Sequence, residues 1–126
     1  MPLVRIDLRK GKGAAFRQAI GSVVYEALVG VGVPANDRFQ VIREYEADDF
    51  LFDSGYLGIH RTDDLVIIQI TWNQGRTLDQ KRALYKAIAD GLHTAVGLRR
   101  EDVLINLVEV NKENWSFGNG QAQYAP

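Results

Sequence analysis

The chain contains the same strand–helix–strand pattern twice, and this repetition limits the possible folds more than any other feature of the sequence. The first copy spans about residues 2–46. Its opening segment alternates apolar and polar residues and places Val4, Ile6 and Leu8 on one face, as in a half-buried strand. Helical spacing of apolar residues then predicts an amphipathic helix, whose stripe is Phe16, Ala19, Ile20, Val23, Val24, Ala27 and Leu28.

The second copy spans about residues 65–111. Leu65–Ile70 is a nearly continuous apolar run, which is typical of a central strand covered on both faces. Thr77 followed by Gln80 fits a capping box at the start of a helix, and Gly97 is a plausible end of that helix. The core stripe of the same helix is Leu84, Ile88, Leu92, Ala95 and Val96.

Each copy closes with a further predicted strand, Phe39–Tyr45 in the first and Val103–Val110 in the second. In the first of these strands, Phe39, Val41 and Tyr45 lie on one side. Aligning the copies superposes three pairs of residues: Leu3 with Leu65, Gly32 with Gly97, and Asp37 with Asp102. We interpret the chain as an internal duplication within one domain, residues 1–126.

This pattern predicts an α/β fold with a four-stranded, mainly parallel or mixed sheet. Parallel β-α-β connections are right-handed, so both helices should lie on one face of the sheet. The other face is then bare, although Leu65–Ile70 is apolar on both sides, which favours an oligomer whose subunits cover each other's sheets. Residues 47–64 are predicted to form a short hairpin or loop with a turn at Ser54-Gly55, and residues 112–126 form a tail.

Composition excludes several classes of function. Fifteen basic and sixteen acidic residues give a net charge of -1, so neither nucleic acid nor an anionic membrane is an expected partner. The absence of cysteine excludes disulfides, a thiolate nucleophile and cysteine-ligated metal. No apolar stretch reaches the roughly 18 to 20 residues of a membrane span, so we expect a soluble, cytoplasmic protein.

Pro2 is the first candidate for chemistry. Removal of Met1 would leave a secondary amine at the start of the first strand, and an α-amino group titrates near pH 8. Such an amine can act as a base, an acid or an iminium-forming nucleophile, whereas a retained Met1 would make it an amide. The alternative is that a proline simply begins a strand that needs no N–H there.

Two motifs, Gly32-Val33-Pro34-Ala35-Asn36-Asp37-Arg38 and Asn114-Trp115-Ser116-Phe117-Gly118, carry a family resemblance. Together with the amino-terminal proline, the tandem β-α-β units and the lack of cysteine, they resemble the tautomerase superfamily and, within it, the malonate semialdehyde decarboxylase branch. The resemblance implies a homotrimer with a site for a small carboxylic acid around each Pro2. It implies no cofactor.

The resemblance also assigns roles to residues whose sequence context alone is ambiguous. From the sequence alone, Asp37 is interpreted as a turn or cap residue. In the family, the matching aspartate belongs to the active site, where it would raise the pKa of the Pro2 amine and favour general acid catalysis. Arg76 is either a solvated loop residue or a bidentate partner for a substrate carboxylate. The family has two arginines in this loop. Arg76 matches the second, and Gln74, which lacks the charge, stands in place of the first.

Trp115 and Phe117 either pack in a core or an oligomer contact, or, by resemblance, form the apolar wall beside Pro2. The resemblance therefore predicts catalysis by Pro2, Asp37 and Arg76, with substrate contacts from Arg76, Gln74 and this wall. We expect decarboxylation of malonate semialdehyde or a similar acid, with possible hydratase activity. The alternatives are a keto–enol tautomerase and a non-catalytic member of the fold. Neither His60 nor His93 has metal-ligand spacing, and no metal is expected.

Overall fold

The computed structural model describes residues 1–125 and shows both strand–helix–strand units. The first unit consists of β1 (Leu3–Arg9), α1 (Ala14–Gly30) and β2 (Gln40–Tyr45), and the second of β3 (Val66–Asn73), α2 (Leu78–Val96) and β4 (Val103–Val110). The segment between β2 and β3 is a loop with 3-10 turns at Ala47–Asp49 and Tyr56–Gly58, rather than a hairpin. A corresponding turn, Lys112–Asn114, follows β4.

The four strands form one mixed sheet in the order β2-β1-β3-β4. The strands within each unit are parallel, and the units meet where β1 runs antiparallel to β3, with Leu3 opposite Thr71. Both helices cover the same face of the sheet, and the predicted fold is confirmed.

The core lies between the helices and this face. Its fully buried members from both layers are Val4, Ile6, Ile20, Val24, Val66, Ile68, Ile70, Trp72, Leu84, Ile88 and Leu92. The predicted capping box is present at Thr77 and Gln80, and Gly97 ends α2 in the left-handed conformation with a φ of 69°. Gly91 lets the helices approach closely, because a Cβ added there would lie 2.7 Å from Cγ1 of Val23.

The opposite face of the sheet carries no helix and exposes apolar side chains. Ile67 is half-buried on this face, while Val41, Leu104 and Val108 are 49%, 37% and 36% exposed. In an isolated subunit these side chains face water, as expected for a sheet that another subunit covers.

Candidate active site

The candidate residues converge at one end of the sheet, where β1 and β2 begin and β3 and β4 end. We call it the Pro2 end, and it comprises residues 1–2, 34–39, 73–77 and 111–117. Backbone hydrogen bonds join its segments, since the Val4 N–H donates to the Phe39 carbonyl at 3.0 Å and the Gln74 N–H donates to the Val110 carbonyl at 3.0 Å. The end therefore brings together segments that are far apart in the sequence.

Asp37 faces the amino terminus. Its Oδ2 lies 3.6 Å from the nitrogen of Met1, and the two side chains are only 13% and 7% exposed. The other carboxylate oxygen, Oδ1, is buried and accepts no hydrogen bond from the described residues. Buried polar atoms normally have partners, so this oxygen is available to a group that enters the site.

Helix α1 holds the segment that carries Asp37. Tyr25 donates a hydrogen bond from its hydroxyl to the Ala35 carbonyl, and the Arg38 guanidinium lies over the Tyr25 ring, 4.9 Å from its centroid. The Asp37 N–H closes the turn by donating to the Pro34 carbonyl at 3.1 Å. Sequence reasoning missed Tyr25. Its hydroxyl group could have indicated a hydrogen bond to another segment, because Tyr25 lies outside the predicted apolar stripe of α1.

Arg76 lies at the Pro2 end but is held against the protein. Its guanidinium is 4.3 Å from the centroid of a Trp72 ring, and its Nη1 donates to the Asn73 carbonyl at 2.8 Å. The side chain of Asn73 accepts a hydrogen bond from Nε1 of Trp115, also at 2.8 Å. Asn73, which the sequence did not single out, thus joins the guanidinium to the aromatic segment.

The loop after β3 places its other polar groups along β4. Gln74 is exposed and donates from Nε2 to Oδ1 of Asn111 at 2.8 Å. The Lys81 ammonium beside Glu109 holds the pKa of that carboxyl below its usual range, and the Gly75 N–H and Arg76 lower it further. A negative charge therefore remains near Arg76 under ordinary conditions.

The aromatic residues after β4 form a wall. The Trp115 and Phe117 rings stack with centroids 5.6 Å apart, and Tyr124 meets Phe117 edge-on at 4.8 Å. Gln123 fixes the turn between them, because it accepts from the Phe117 N–H at 2.9 Å and donates to the Gly118 carbonyl at 2.8 Å.

Two cavities adjoin Met1 at this end. The larger, of about 290 Å³, is lined by Met1, Pro34, Asn36, Asp37, Phe39, Phe117 and Tyr124. The smaller, of about 180 Å³, is lined by Met1, Leu3, Phe39, Trp115, Ser116 and Phe117. The structure thus gathers Asp37, Trp115 and Phe117 around the amino terminus, beside the buried Pro2. Neither Arg76 nor Gln74 lines these two cavities.

The opposite end of the sheet, which we call the Thr62 end, carries the residue that the duplication aligns with Asp37. Asp102 is fully buried there and precedes β4. It accepts hydrogen bonds from the Thr62 N–H at 2.7 Å and the Thr62 hydroxyl at 2.6 Å, and Nη1 of Arg99 lies 3.5 Å away. Both of its oxygens are therefore occupied by the chain itself.

Residues 1–125 contain no group of three or more His, Cys, Asp or Glu residues that could hold a metal ion. Within the same residues, neither helix has the length and apolarity needed to cross a membrane.

The sequence of this chain is similar to those of known proteins. A family model described as "Tautomerase enzyme" matches residues 37–118. Two curated proteins of Bacillus subtilis (strain 168) are similar over nearly their whole length. The probable tautomerase YusQ is 44% identical over 124 residues, which cover 98% of each chain. The probable tautomerase YrdN is 30% identical over 125 residues, which cover 98% of this chain and 96% of the relative.

Solved structures of malonate semialdehyde decarboxylases are also similar. One such enzyme, with decarboxylase and hydratase activities, superposes with a TM-score of 0.89 at 30% identity and covers 97% of this chain and 95% of its own. The FG41 malonate semialdehyde decarboxylase, inhibited by 3-bromopropiolate, gives a TM-score of 0.90 at 37% identity, with 97% and 93% covered. A fused 4-OT trimer, at 23% identity and a TM-score of 0.77 over 94% of each chain, shares the fold.

Proposed function

Because this chain belongs to the tautomerase family, we propose that it is a Pro2-dependent enzyme acting on a small oxo or unsaturated carboxylic acid. Decarboxylation of a 3-oxo acid such as malonate semialdehyde is the main proposed reaction, with hydration of an unsaturated acid as a second activity. The high TM-score to malonate semialdehyde decarboxylases supports this choice. We propose that it forms a homotrimer, because the bare sheet face exposes apolar side chains that another subunit would cover. The proposed enzyme is cytoplasmic and needs no cofactor.

The observation that carries the proposal is the contact between Asp37 and the amino terminus. The Met1 nitrogen, 3.6 Å from Oδ2 of Asp37, is three bonds from the nitrogen of Pro2. Removal of Met1 would turn that Pro2 nitrogen into a secondary amine close to the same carboxylate. A neighbouring negative charge favours the protonated form of an amine, so Pro2 would be cationic and could act as a general acid.

For a 3-oxo acid, the cationic Pro2 would donate a hydrogen bond to the carbonyl oxygen. The bond between the carboxylate carbon and C2 then breaks, carbon dioxide leaves, and the electron pair becomes an enolate that the cation stabilises. Transfer of the Pro2 proton to C2 completes the aldehyde, and a proton from water restores the amine. An iminium between Pro2 and the carbonyl carbon would supply the same electron sink.

Arg76 is the proposed partner of the substrate carboxylate. Among residues 1–125, the Asn73 carbonyl accepts from Nη1 and no other acceptor engages the guanidinium, so further N–H donors remain for an incoming acid. Stacking on Trp72 limits its rotation and keeps the charge at the Pro2 end. Trp115 and Phe117 would exclude water from the reacting centre, and Gln74 would add a neutral hydrogen-bond donor.

Keto–enol tautomerisation of an enol acid is the second candidate. A neutral Pro2 would take a proton from the enol oxygen and deliver one to carbon. One observation favours it: the relatives YusQ and YrdN are probable tautomerases. A non-catalytic member of the fold is the remaining alternative.

Labelling and turnover together test the proposal. Intact mass should show that Met1 is absent from the active protein. A 3-halopropiolate should modify the Pro2 nitrogen, as located by peptide mapping, and should abolish carbon dioxide release from malonate semialdehyde. Pro2→Ala keeps a primary amine of different basicity, so activity should fall while the chain stays folded.

The outcomes separate the candidates. Rapid ketonisation of enol acids without carbon dioxide release would favour the tautomerase. An adduct found only on lysines, or full activity in a chain that retains Met1, would exclude Pro2 catalysis.

A further inference from the structure

The side chain of Met1 fills a place inside the candidate site. First residues are usually exposed, yet this side chain is only 7% exposed. It lines both cavities at the Pro2 end, and so do Phe39 and Phe117. Met1 therefore lies between the cavity lined by Asp37 and the cavity lined by Trp115.

The bond between Met1 and Pro2 indicates which part of a substrate would occupy this space. Its carbonyl carbon is bonded to the Pro2 nitrogen, which is where the carbonyl carbon of a substrate would be in an iminium. From that carbon the chain runs through the α-carbon into an unbranched side chain of about four non-hydrogen atoms. The structure thus shows a chain attached at the reactive nitrogen and the volume that such a chain fills.

We propose that the preferred substrate is a longer homologue of malonate semialdehyde, which carries an unbranched, uncharged arm of about four non-hydrogen atoms in the place of the Met1 side chain. The inference rests on the proposed function, because it requires that Met1 be removed. The lining explains why the arm is uncharged: Leu3, Phe39 and Phe117 contribute apolar surface, and Asp37, the only carboxylate that residues 1–125 place in the two cavities, faces the Met1 nitrogen.

Hydrophobic burial then predicts how affinity depends on arm length. Each methylene that leaves water for an apolar site contributes about 0.8 kcal/mol, equivalent to about a fourfold gain in affinity. The gain should continue until the arm fills the space that Met1 leaves and should stop there. A branched arm of equal carbon number should bind more weakly, because closely packed sites do not tolerate a change of shape.

A protection experiment on the processed protein tests this inference. Pro2 is labelled with 3-bromopropiolate in the presence of straight-chain carboxylates from acetate to octanoate, and adducts are counted by mass spectrometry. Protection should improve about fourfold per methylene and level off near hexanoate, and 3,3-dimethylbutanoate should protect about tenfold less well than its isomer hexanoate. Equal protection by acetate and hexanoate, or a steady gain through octanoate, would overturn the inference.

Calorimetric titration with the same acids gives the length dependence without labelling. If Pro2 is not modified, the proposed function fails, and the titration still decides whether the arm site exists. If Pro2 is modified and affinity does not depend on length, this inference alone fails. A chain that retains Met1 is the control, because its arm site is filled and it should show no length dependence.

Two variants locate the arm. Phe39→Ala enlarges the space beside Met1, so the best acid should become longer by about one or two carbons, with about fivefold weaker binding of hexanoate. Leu78→Ala removes a similarly exposed apolar side chain that lines neither cavity, and its profile should match the wild type. Identical profiles for the two variants would place the arm elsewhere.

Discussion

The Pro2 end and the Thr62 end are the two products of one duplication, and they differ in what faces the aspartate. Asp37 precedes β2 and Asp102 precedes β4, but Asp37 lies beside the amino terminus, whereas Asp102 receives both hydrogen bonds of Thr62. The chain runs on through Thr62 into β3, so no free amine is available there. The comparison indicates that the position of the amino terminus, rather than the strand pattern, decides which end of the sheet can carry a catalytic amine.

The aromatic residues show the same contrast. Phe50 and Phe52 follow the turn at Ala47–Asp49, as Trp115 and Phe117 follow the turn at Lys112–Asn114. At the Thr62 end Phe50 is buried, and Arg9 lies over Phe52 and donates to the Phe50 carbonyl. At the Pro2 end Phe117 lines two cavities. At the Thr62 end Phe50 packs in the interior and Phe52 lines a separate cavity, whereas at the Pro2 end Trp115 and Phe117 both line cavities beside the amino terminus.

Neutralising Asp37 should have the largest effect on this comparison. Asp37→Asn removes the charge that would keep the Pro2 amine protonated, so we expect kcat/KM to fall about 100-fold, within the range of general acid catalysis. Urea unfolding should change little, because Asp37 makes no other ion pair among the described residues. Steady-state kinetics on the processed protein measure the effect, and wild-type activity in this variant would remove the distinction between the two aspartates.

Arg76→Ala should lower kcat/KM by about 30-fold or more, because an unpaired substrate carboxylate costs roughly 2 to 5 kcal/mol. The matched control is Arg9→Ala at the Thr62 end, where Arg9 pairs with Asp63 at 2.9 Å. This control should leave kcat/KM nearly unchanged. Equal kinetic losses in the two variants would mean that both arginines act through stability alone.

Asp102→Ala should affect stability rather than catalysis. It leaves the buried N–H and hydroxyl of Thr62 without acceptors, and an unsatisfied buried group costs about 1 to 3 kcal/mol. Thr62→Val, which removes only the hydroxyl, should cost less. Urea titration gives both values. A loss of kcat in the folded Asp102→Ala protein that is as large as the loss in Asp37→Asn would contradict the assignment of catalysis to the Pro2 end alone.

Gln74→Arg tests the smallest difference, the missing charge at the Pro2 end. We expect decarboxylation of malonate semialdehyde to rise several-fold, about 1 kcal/mol, if residue 74 reaches the carboxylate. Gln74→Met is the control, because it also breaks the hydrogen bond to Asn111 but adds no charge. An equal or lower rate for the arginine variant would indicate a loop built for another substrate.

Local patterns predicted the regular elements well. The alternation of Val4, Ile6 and Leu8, the capping box at Thr77 and the end of α2 at Gly97 each depend on nearby residues, and all are present. The segment between the units was harder, because a hairpin and a loop share the turn at Ser54-Gly55. The loop forms there with the Gly55 N–H bonded to the Asp53 side chain at 2.8 Å.

The contacts within the site could not be read from the sequence. Tyr25 meets Ala35, and Asn73 meets Trp115, across gaps that only the folded sheet closes. The sequence aligned Asp37 with Asp102, but the strand register offsets them by two positions, since Val4 pairs with Gln40 and Val66 pairs with Val103. Their different environments also depend on the route of the chain before each strand. Their roles, like those of Pro2 and Arg76, remain predictions for the experiments above.

Met1 and Tyr124, which are far apart in the sequence, line the larger cavity together. An affinity tag before Met1 would therefore leave Pro2 as an amide in a correctly folded protein, and recombinant material could look inactive for that reason alone. The exposed turn at Ser54-Gly55 is the better place for a fluorophore or an inserted epitope, because neither cavity beside Met1 includes it.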